Sequence, residues 1–354
     1  MWQFSPPVRF GSEYRDRIVS ARNLHLYTHA NVCEVEVNEA VSAVESVRVR
    51  TLEGQEHRVR ARRFVLACST IQNARLLLAS NSRASGGLGN EHDLVGRYFM
   101  EHLEMPSGAL VTLGTPAPST TMYAYPPGPT RARGELAVSG ELQREHGMLN
   151  ATVSLAPGSL EERAQSTFQW ATPEVVEGLR DRRRADPSEV TPDAVSDPAP
   201  QRVFHLHTRQ EQAPNPASRV TLSSERDEMG MPRVALDWRL TELDRRSFRE
   251  FYQVLGRELG RSGIGRVRMN EWLLDPLDGP WPESLGGGWH HMGTTRMHPN
   301  PREGVVDANS RVHGLENLYV AGASVFPTAG SVNPTLTLVA LSLRLSDHLR
   351  ASRA

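Results

Sequence analysis

A short apolar strand that ends in glycine, with a helix after it, is the feature that most constrains this fold. Residues 318–322 read Leu-Tyr-Val-Ala-Gly, and a turn of small residues leads to Asn333-Pro334. Asn is favoured at helix N-caps, and Pro suits the first helical position, where N–H groups lack partners. The predicted helix has an apolar packing face, formed by Leu336, Val339, Ala340 and Leu343. This arrangement indicates an α/β fold in which helix N–H groups can face an anion.

The N-terminal part of the chain carries a second strand and helix. Residues 64–68 form a continuous apolar run, which predicts a strand buried on both faces. The next segment, 70–80, predicts a helix with one apolar stripe, formed by Ile71, Ala74, Leu77 and Leu78. Alternating apolar residues predict further strands, and a short helix is expected at 10–21. The predicted strands of this part are 24–37, 44–52 and 59–68.

From about residue 106 the composition changes, because prolines and small polar residues become frequent. Short alternating stretches predict strands at 108–113 and 149–155, a strand pair at 202–208 and 219–223, and a strand at 233–238. Residues 156–200 predict loops with one helix. A further helix opens at Thr241, and its predicted buried stripe consists of Phe248, Phe251, Leu255 and Leu259.

Composition excludes several classes of function. The net charge is −1 and all 40 basic residues are Arg, so no nucleic-acid partner and no catalytic lysine are expected. Cys33 and Cys68 lack CxxC spacing, which argues against a disulfide framework and suits a reducing compartment. No apolar run reaches the ~18 residues of a membrane span, and no signal peptide is recognisable at the N-terminus. We therefore expect a cytoplasmic protein without a membrane span.

The stretch GGGWHHMGTTRM, residues 286–297, has the residue types of an active-site wall. If Trp289 to Gly293 runs extended, His290 and His291 point to opposite faces, so one is functional and the other structural. A histidine suits proton transfer because its ordinary pKa is about 6.5. A metal site built from His290, His291 and His298 is the less favoured alternative, because adjacent strand histidines diverge and no carboxylate completes a ligand spacing. No metal is therefore expected.

Three segments together resemble the glucose–methanol–choline (GMC) oxidoreductases, flavoenzymes that oxidise alcohols and sugars. They are the histidine stretch with GVVDANSRVHGLENLYVAGASVFPTAGSVNPTLT, then RRFVLACSTIQNARLLLASN with DLVGRYFMEH, and EQAPNPASRVTLSSERDEMGMPRVALDWRLTELD. The resemblance covers nearly the whole chain. It implies FAD as cofactor, with His290 taking the substrate hydroxyl proton and Asn333 as the second active-site residue.

The same resemblance implies further flavin contacts. Gly322 and Ala323 match the turn that approaches the pyrophosphate. Val32 matches a strand residue beside the adenine, and Ala67 matches the strand end beside the dinucleotide. The N–H groups near Thr335 and Leu336 would stabilise the reduced flavin. Each has a plainer alternative: Val32 and Ala67 as ordinary buried strand residues, Gly322 as a tight turn, and Asn333 as a helix cap.

One part of the family pattern is not found. No GxGxxG follows a strand and opens a helix, since Gly86–Gly89, Gly263–Gly265 and Gly286–Gly288 all lack that context. The chain therefore predicts an incomplete FAD-binding domain, and a large apolar surface is expected to lie exposed on its remaining strands. A separate flavin-domain chain carrying GxGxxG is a possible partner.

The predicted fold class is α/β plus β. An incomplete, Rossmann-like FAD-binding domain comprises 1–105 and 284–354, and an antiparallel-sheet substrate domain comprises 106–283. The expected activity is FAD-dependent oxidation of a CH–OH group on a small-molecule sugar, polyol or other alcohol. The alternative is a non-catalytic remnant, or a subunit that needs a separate GxGxxG-bearing chain to bind FAD.

Overall fold

The structure is a computed structural model that describes residues 2–4, 8–112, 119, 121–123, 131–157 and 203–352. Residues 158–200, most of the predicted loop region, lie outside these ranges. The strands within them are β1 (Trp2–Phe4), β2 (Asn31–Val37), β3 (Val44–Arg50), β4 (Glu56–Val59), β5 (Phe64–Leu66), β6 (Leu103–Thr112), β7 (Arg131–Arg133), β8 (Leu136–Ala137), β9 (Ala151–Pro157), β10 (Val203–Gln210), β11 (Arg219–Arg226), β12 (Pro232–Asp237), β13 (Gly265–Met269), β14 (Gly286–Gly287) and β15 (Leu318–Val320). The α-helices are α1 (Phe10–Glu13), α2 (Arg15–Ser20), α3 (Thr70–Ala79), α4 (Gly140–His146), α5 (Glu242–Arg261) and α6 (Thr335–Ala351).

The chain divides into two compact units. Unit 1 consists of Met1–Ser5, Leu103–Gln210 and Glu242–Gly288, and unit 2 of Pro6–His102, Glu211–Thr241 and Trp289–Ala354. The partition differs from the predicted domain boundaries chiefly at 211–241, which lies in unit 2 rather than in the middle segment.

Unit 1 is built on an antiparallel sheet in the order β13–β6–β10–β9–β8, with β14 also paired to β6. Helix α5 contacts β13. Its predicted buried stripe is confirmed, since Phe248, Phe251, Leu255 and Leu259 are all buried. The predicted pairing of 202–208 with 219–223 is wrong, because β10 pairs with β6 and β9. Local alternation predicts a strand but does not identify its partner.

Unit 2 combines small sheets with α3 and α6 around one core. Strands β2, β3 and β4 form an antiparallel sheet, β11 pairs with β12, and β5 runs parallel to β15. The predicted helix at 70–80 is confirmed as α3, which begins at the N-cap Ser69 and buries Ala74, Leu76 and Leu77. The core side chains come from β2, β5, α3, β15 and the loops that join them.

Two apolar faces that the sequence predicted as buried are exposed. In β5, Phe64 and Leu66 are buried, but Val65 is 42% exposed, so the strand is covered on one face only. The predicted packing face of α6 is also wrong: Leu336 is 83% exposed and Leu343 is exposed as well. The helix rests on the core through another stripe, which consists of Leu338, Leu341 and Leu345. A helix that is apolar on several sides offers more than one stripe, and periodicity alone does not select between them.

Some apolar side chains of unit 2 lie exposed, among them Val65 of β5 and Leu336 and Leu343 of α6. Helices α1 and α2 also bury none of their residues. In the part of the chain that the structure describes, no helix has the length and apolar composition that crossing a membrane requires.

Candidate active site

The imidazole of His290 lies between two polar side chains of unit 2. Its Nε2 is 3.0 Å from the amide nitrogen of Asn333, and its Nδ1 is 2.9 Å from Nδ1 of His102. His102 is fully buried, His290 is half-buried and Asn333 is exposed. The structure thus brings together His290 and Asn333, 43 residues apart in the chain, and adds a second imidazole that sequence reasoning did not single out.

One buried carboxylate fixes the backbone on both sides of this ring pair. Glu101 is only 4% exposed, and its Oε1 accepts the backbone N–H groups of His102 at 2.8 Å and His290 at 2.7 Å. The backbone N–H of Glu101 donates to Oε1 of Gln212, which also accepts from the indole N–H of Trp238. Hydrogen bonds to a charged acceptor are stronger than neutral ones, so Glu101 restricts where both imidazoles can sit.

The histidine segment is held by short backbone pairings rather than by a long strand. Met292 and Met100 exchange N–H···O bonds of 2.9 and 3.0 Å, and Gly293 donates to the carbonyl of Ala323. Gly293 has φ +91°, and a Cβ there would collide with the carbonyl oxygen of Tyr98. Only glycine fits this position, which explains why a glycine follows the histidine pair.

The N-terminus of α3 also anchors this segment. The hydroxyl of Thr70 donates to the carbonyl of His291 at 2.7 Å, and the hydroxyl of Thr294 donates to the carbonyl of Thr70 at 2.7 Å. Trp289 has φ +59° and is 80% exposed. A bulky residue in the left-handed region is strained, so the chain bends sharply just before His290 instead of running fully extended from Trp289 as predicted.

The two adjacent histidines have different surroundings. The ring of His291 lies beside Phe99, and its Nε2 is 3.4 Å from Oε2 of Glu101. Burial lowers the pKa of the His291 imidazole, so the ring is neutral at neutral pH. His298 instead lies 3.4 Å from Glu303, so the three histidines of the alternative metal site have separate partners.

The carboxyl ends of β5 and β15 meet in the same unit. Ala321 donates its N–H to the carbonyl of Leu66 at 2.8 Å. The side chain of Asn73 joins the two strand ends: its oxygen accepts from Cys68 N–H, and its nitrogen donates to the carbonyl of Ala321 and to Ser324 Oγ. Gly322, at φ +121°, therefore turns the chain beside Ala67 and Cys68.

The residues that the resemblance linked to the flavin are mostly accessible. Val32, Ala67, Thr335 and Leu336 are exposed, Gly322 is half-buried, and Ala323 is buried as the first residue of a 3-10 turn. Val32 and Ala67 are therefore not ordinary buried strand residues. Thr335 and Leu336 are the first two residues of α6, whose N-cap residue is Pro334 rather than the predicted Asn333. The Asn333 amide instead faces His290.

Sequence reasoning missed the residues that support the site. Glu101 and His102 end the stretch DLVGRYFMEH, for which the resemblance implied no role at either position. Asn73 and Thr70 are polar residues in the first turn of a predicted helix, which is a common position for surface residues. The available signal was an acidic residue next to a histidine, Glu101-His102. This pair does not reveal that His102 contacts His290, which lies 188 residues further along the chain.

Comparison with known proteins identifies the C-terminal region. Residues 214–342 match the family model described as GMC oxidoreductase. This region belongs to the GMC oxidoreductase family. It includes His290, Asn333, Gly322 and the start of α6, so the site described above lies largely inside the matched range.

Two relatives from Streptomyces are similar over most of the chain. The 6'''-hydroxyparomomycin C oxidase of Streptomyces lividus is 32% identical over 88% of this chain and 50% of its own length. The paromamine 6'-oxidase of Streptomyces fradiae is 31% identical over 81% of this chain and 45% of its own length. The chain thus spans about half the length of the curated relatives it matches.

A solved structure supports the fold. A variant of formate oxidase from Aspergillus oryzae RIB40, studied for its effect on FAD modification, aligns with a TM-score of 0.54 at 18% identity. The alignment covers 95% of this chain and 62% of the formate oxidase. At this identity the likeness shows the fold alone. The match of residues 214–342 to the GMC oxidoreductase family supports FAD as the cofactor.

The residues of unit 2 fit that cofactor. Gly322 is half-buried and adopts a backbone conformation that favours glycine. The first N–H groups of α6 have no partner within the helix and can face an anion. The exposed apolar residues beside them suit the flat apolar parts of a flavin.

Proposed function

We propose that the chain forms part of an FAD-dependent oxidoreductase that acts on a CH–OH group of a sugar, polyol or other alcohol. The single observation that carries this proposal is the 3.0 Å approach of Asn333 to Nε2 of His290 within the region matched to the GMC family. A base and a hydrogen-bond donor side by side are what a substrate hydroxyl needs. The two Streptomyces relatives, named as oxidases of paromamine and a hydroxyparomomycin, favour a sugar hydroxyl among these donors.

In this proposal His290 and Asn333 have distinct roles. His290 takes the hydroxyl proton at Nε2, because an imidazole offers a lone pair and has an ordinary pKa near neutrality. Asn333 donates its amide N–H to the hydroxyl oxygen and orients it, but cannot take the proton. FAD, when bound, would supply the two-electron acceptor for the hydride that leaves the substrate carbon.

The residues proposed to hold FAD lie in unit 2. Gly322 and Ala323 would approach the pyrophosphate, Ala67 would lie beside the dinucleotide, and Val32 beside the adenine. The N–H groups of Thr335 and Leu336, at the positive end of the α6 dipole, would stabilise negative charge on the reduced flavin. We propose that unit 2 is the flavin-binding part of the chain and that unit 1, with its antiparallel sheet, is the substrate domain.

The exposed apolar surface favours a second possibility, in which this chain binds FAD only together with a further nucleotide-binding segment. Val65 of β5 and the α6 residues Leu336 and Leu343 are apolar and exposed. Exposed apolar surface is typical of a contact with another protein segment. A segment carrying GxGxxG, on this protein or on a separate chain, is the proposed covering element.

The test is to purify the 354-residue chain, add FAD, desalt it and record the visible spectrum. Retained flavin absorbance that a sugar or alcohol bleaches under anaerobic conditions supports the enzyme. A colourless protein that gains flavin only when a GxGxxG-bearing fragment is supplied supports the second possibility. A reconstituted protein that binds FAD but is never reduced by any alcohol or sugar contradicts the proposed activity.

A further inference from the structure

The contact between His102 and His290 requires a definite arrangement of protons. The two Nδ1 atoms are 2.9 Å apart, which is a hydrogen-bond distance. Two imidazole nitrogens form a hydrogen bond only if one carries the proton and the other offers its lone pair. One of these two rings is therefore the Nδ1–H tautomer.

The contact of Nε2 of His290 shows which of the two rings carries its proton on Nδ1. Its Nε2 faces the amide nitrogen of Asn333 at 3.0 Å, and an amide nitrogen only donates. Nε2 of His290 is therefore the acceptor, and in the neutral ring the proton sits on Nδ1. His290 then donates from Nδ1 to His102, whose Nδ1 accepts.

The surroundings make this pairing rigid. His102 is fully buried, and Glu101 holds the backbone N–H groups of both histidines through one carboxylate oxygen. The two rings lie nearly edge to face, with centroids 4.9 Å apart. A rotation of either ring would break the Nδ1 contact.

We propose that His102 is a positioning residue that holds His290 in its Nδ1–H tautomer, so that the lone pair of Nε2 is directed to the substrate hydroxyl. This rests on the proposed role of His290 as base. When the hydroxyl O–H bond breaks, the proton joins Nε2, and the resulting imidazolium still donates from Nδ1 to His102. Without His102, the ring can take the Nε2–H tautomer, which donates where a base must accept.

The test reads the ring directly and needs neither flavin nor substrate. The full chain, labelled with ¹⁵N in its histidine rings, is studied by long-range ¹H–¹⁵N correlation at about pH 8, above the ordinary histidine pKa of about 6.5. The His290→Gln variant identifies the His290 signals. In the unmodified protein we expect His290 to carry its proton on Nδ1.

A matched pair of variants isolates the acceptor at position 102. Asn and Leu have similar shapes, but only Asn offers an oxygen near the position of Nδ1. His102→Asn should keep the Nδ1–H tautomer of His290, whereas His102→Leu should lower the Nδ1–H to Nε2–H ratio about tenfold, the effect of one hydrogen bond. Unchanged His291 signals show that each variant is folded; a variant that fails this control is replaced by His102→Gln or His102→Met.

Two results would overturn the inference: an Nε2–H tautomer in the unmodified protein, or the same tautomer ratio in the Asn and Leu variants. Alcohol oxidation by the reconstituted enzyme tests the proposed function separately from the tautomer of His290. If the tautomer behaves as expected but His290→Gln leaves alcohol oxidation unchanged, the ring arrangement stands and the role of His290 as base does not.

Discussion

Replacing Glu101 tests how the site is held together. Its Oε1 accepts the backbone N–H groups of His102 and His290, and the carboxylate is buried, so water cannot replace it easily. In Glu101→Leu both donors lose their acceptor. Hydrogen bonds to a charged group contribute about 1.5–3 kcal/mol each, so the loss amounts to about 3–6 kcal/mol. This is a large part of the about 5–15 kcal/mol that stabilises an ordinary domain.

The assay is hydrogen–deuterium exchange resolved to the amides of His102 and His290. Since each 1.4 kcal/mol is a factor of ten, these amides should exchange about two to four powers of ten faster in Glu101→Leu. Glu101→Gln is the matched control, because its amide oxygen can still accept both N–H groups and only the charge is lost. Equal exchange rates in the Leu and Gln variants would refute the role given to the carboxylate.

Three further predictions concern the support of the site and the core of unit 1. Asn73→Leu removes the three hydrogen bonds that join the ends of β5 and β15. The free energy of unfolding of unit 2, measured by urea titration, should fall by about 2–4 kcal/mol, and a change under about 0.5 kcal/mol would contradict this role of Asn73. The guanidinium of Arg245 donates to the carbonyls of Trp272, Pro276 and Pro280. Arg245→Lys should therefore lower the free energy of unfolding of unit 1 by about 2–3 kcal/mol, and an unchanged melting temperature would contradict a stabilising role for these hydrogen bonds. Burial lowers the pKa of His291 below its value in the unfolded chain, so the unfolded chain binds this proton first as the pH falls. The free energy of unfolding should therefore decrease as the pH drops through about 6.5, and His291→Asn should make this decrease smaller. The same dependence of stability on pH in both proteins would exclude a contribution from His291.

Secondary structure was predicted correctly where it depends on residues close together in the sequence. The periodicity of α3 and α5 and the strand at Leu318–Val320 were predicted correctly, because burial patterns repeat along each element. The histidine pair was singled out as a candidate site from its residue types. These inferences need only neighbours in the chain.

The rest depended on contacts between distant segments. The packing face of α6 was assigned to Leu336 and Leu343, whereas the helix rests on Leu338, Leu341 and Leu345, because an apolar helix offers several stripes. The support given by Glu101 and His102 was not predicted, since their partner His290 lies almost 190 residues further along. Only the folded chain reveals which of several acidic and histidine residues share one hydrogen-bond network.

The role of His290 as the base is tested most directly by the rate at which an alcohol or sugar reduces the bound flavin. This rate is measured under anaerobic conditions in the reconstituted protein and in its His290→Gln variant. We expect the variant to bind FAD as the unmodified protein does, but to be reduced more slowly by a factor of about 10² or more, because the base for the hydroxyl proton is missing. A variant that is reduced at the unchanged rate would contradict the central claim, and His290 would then have no part in the proton transfer.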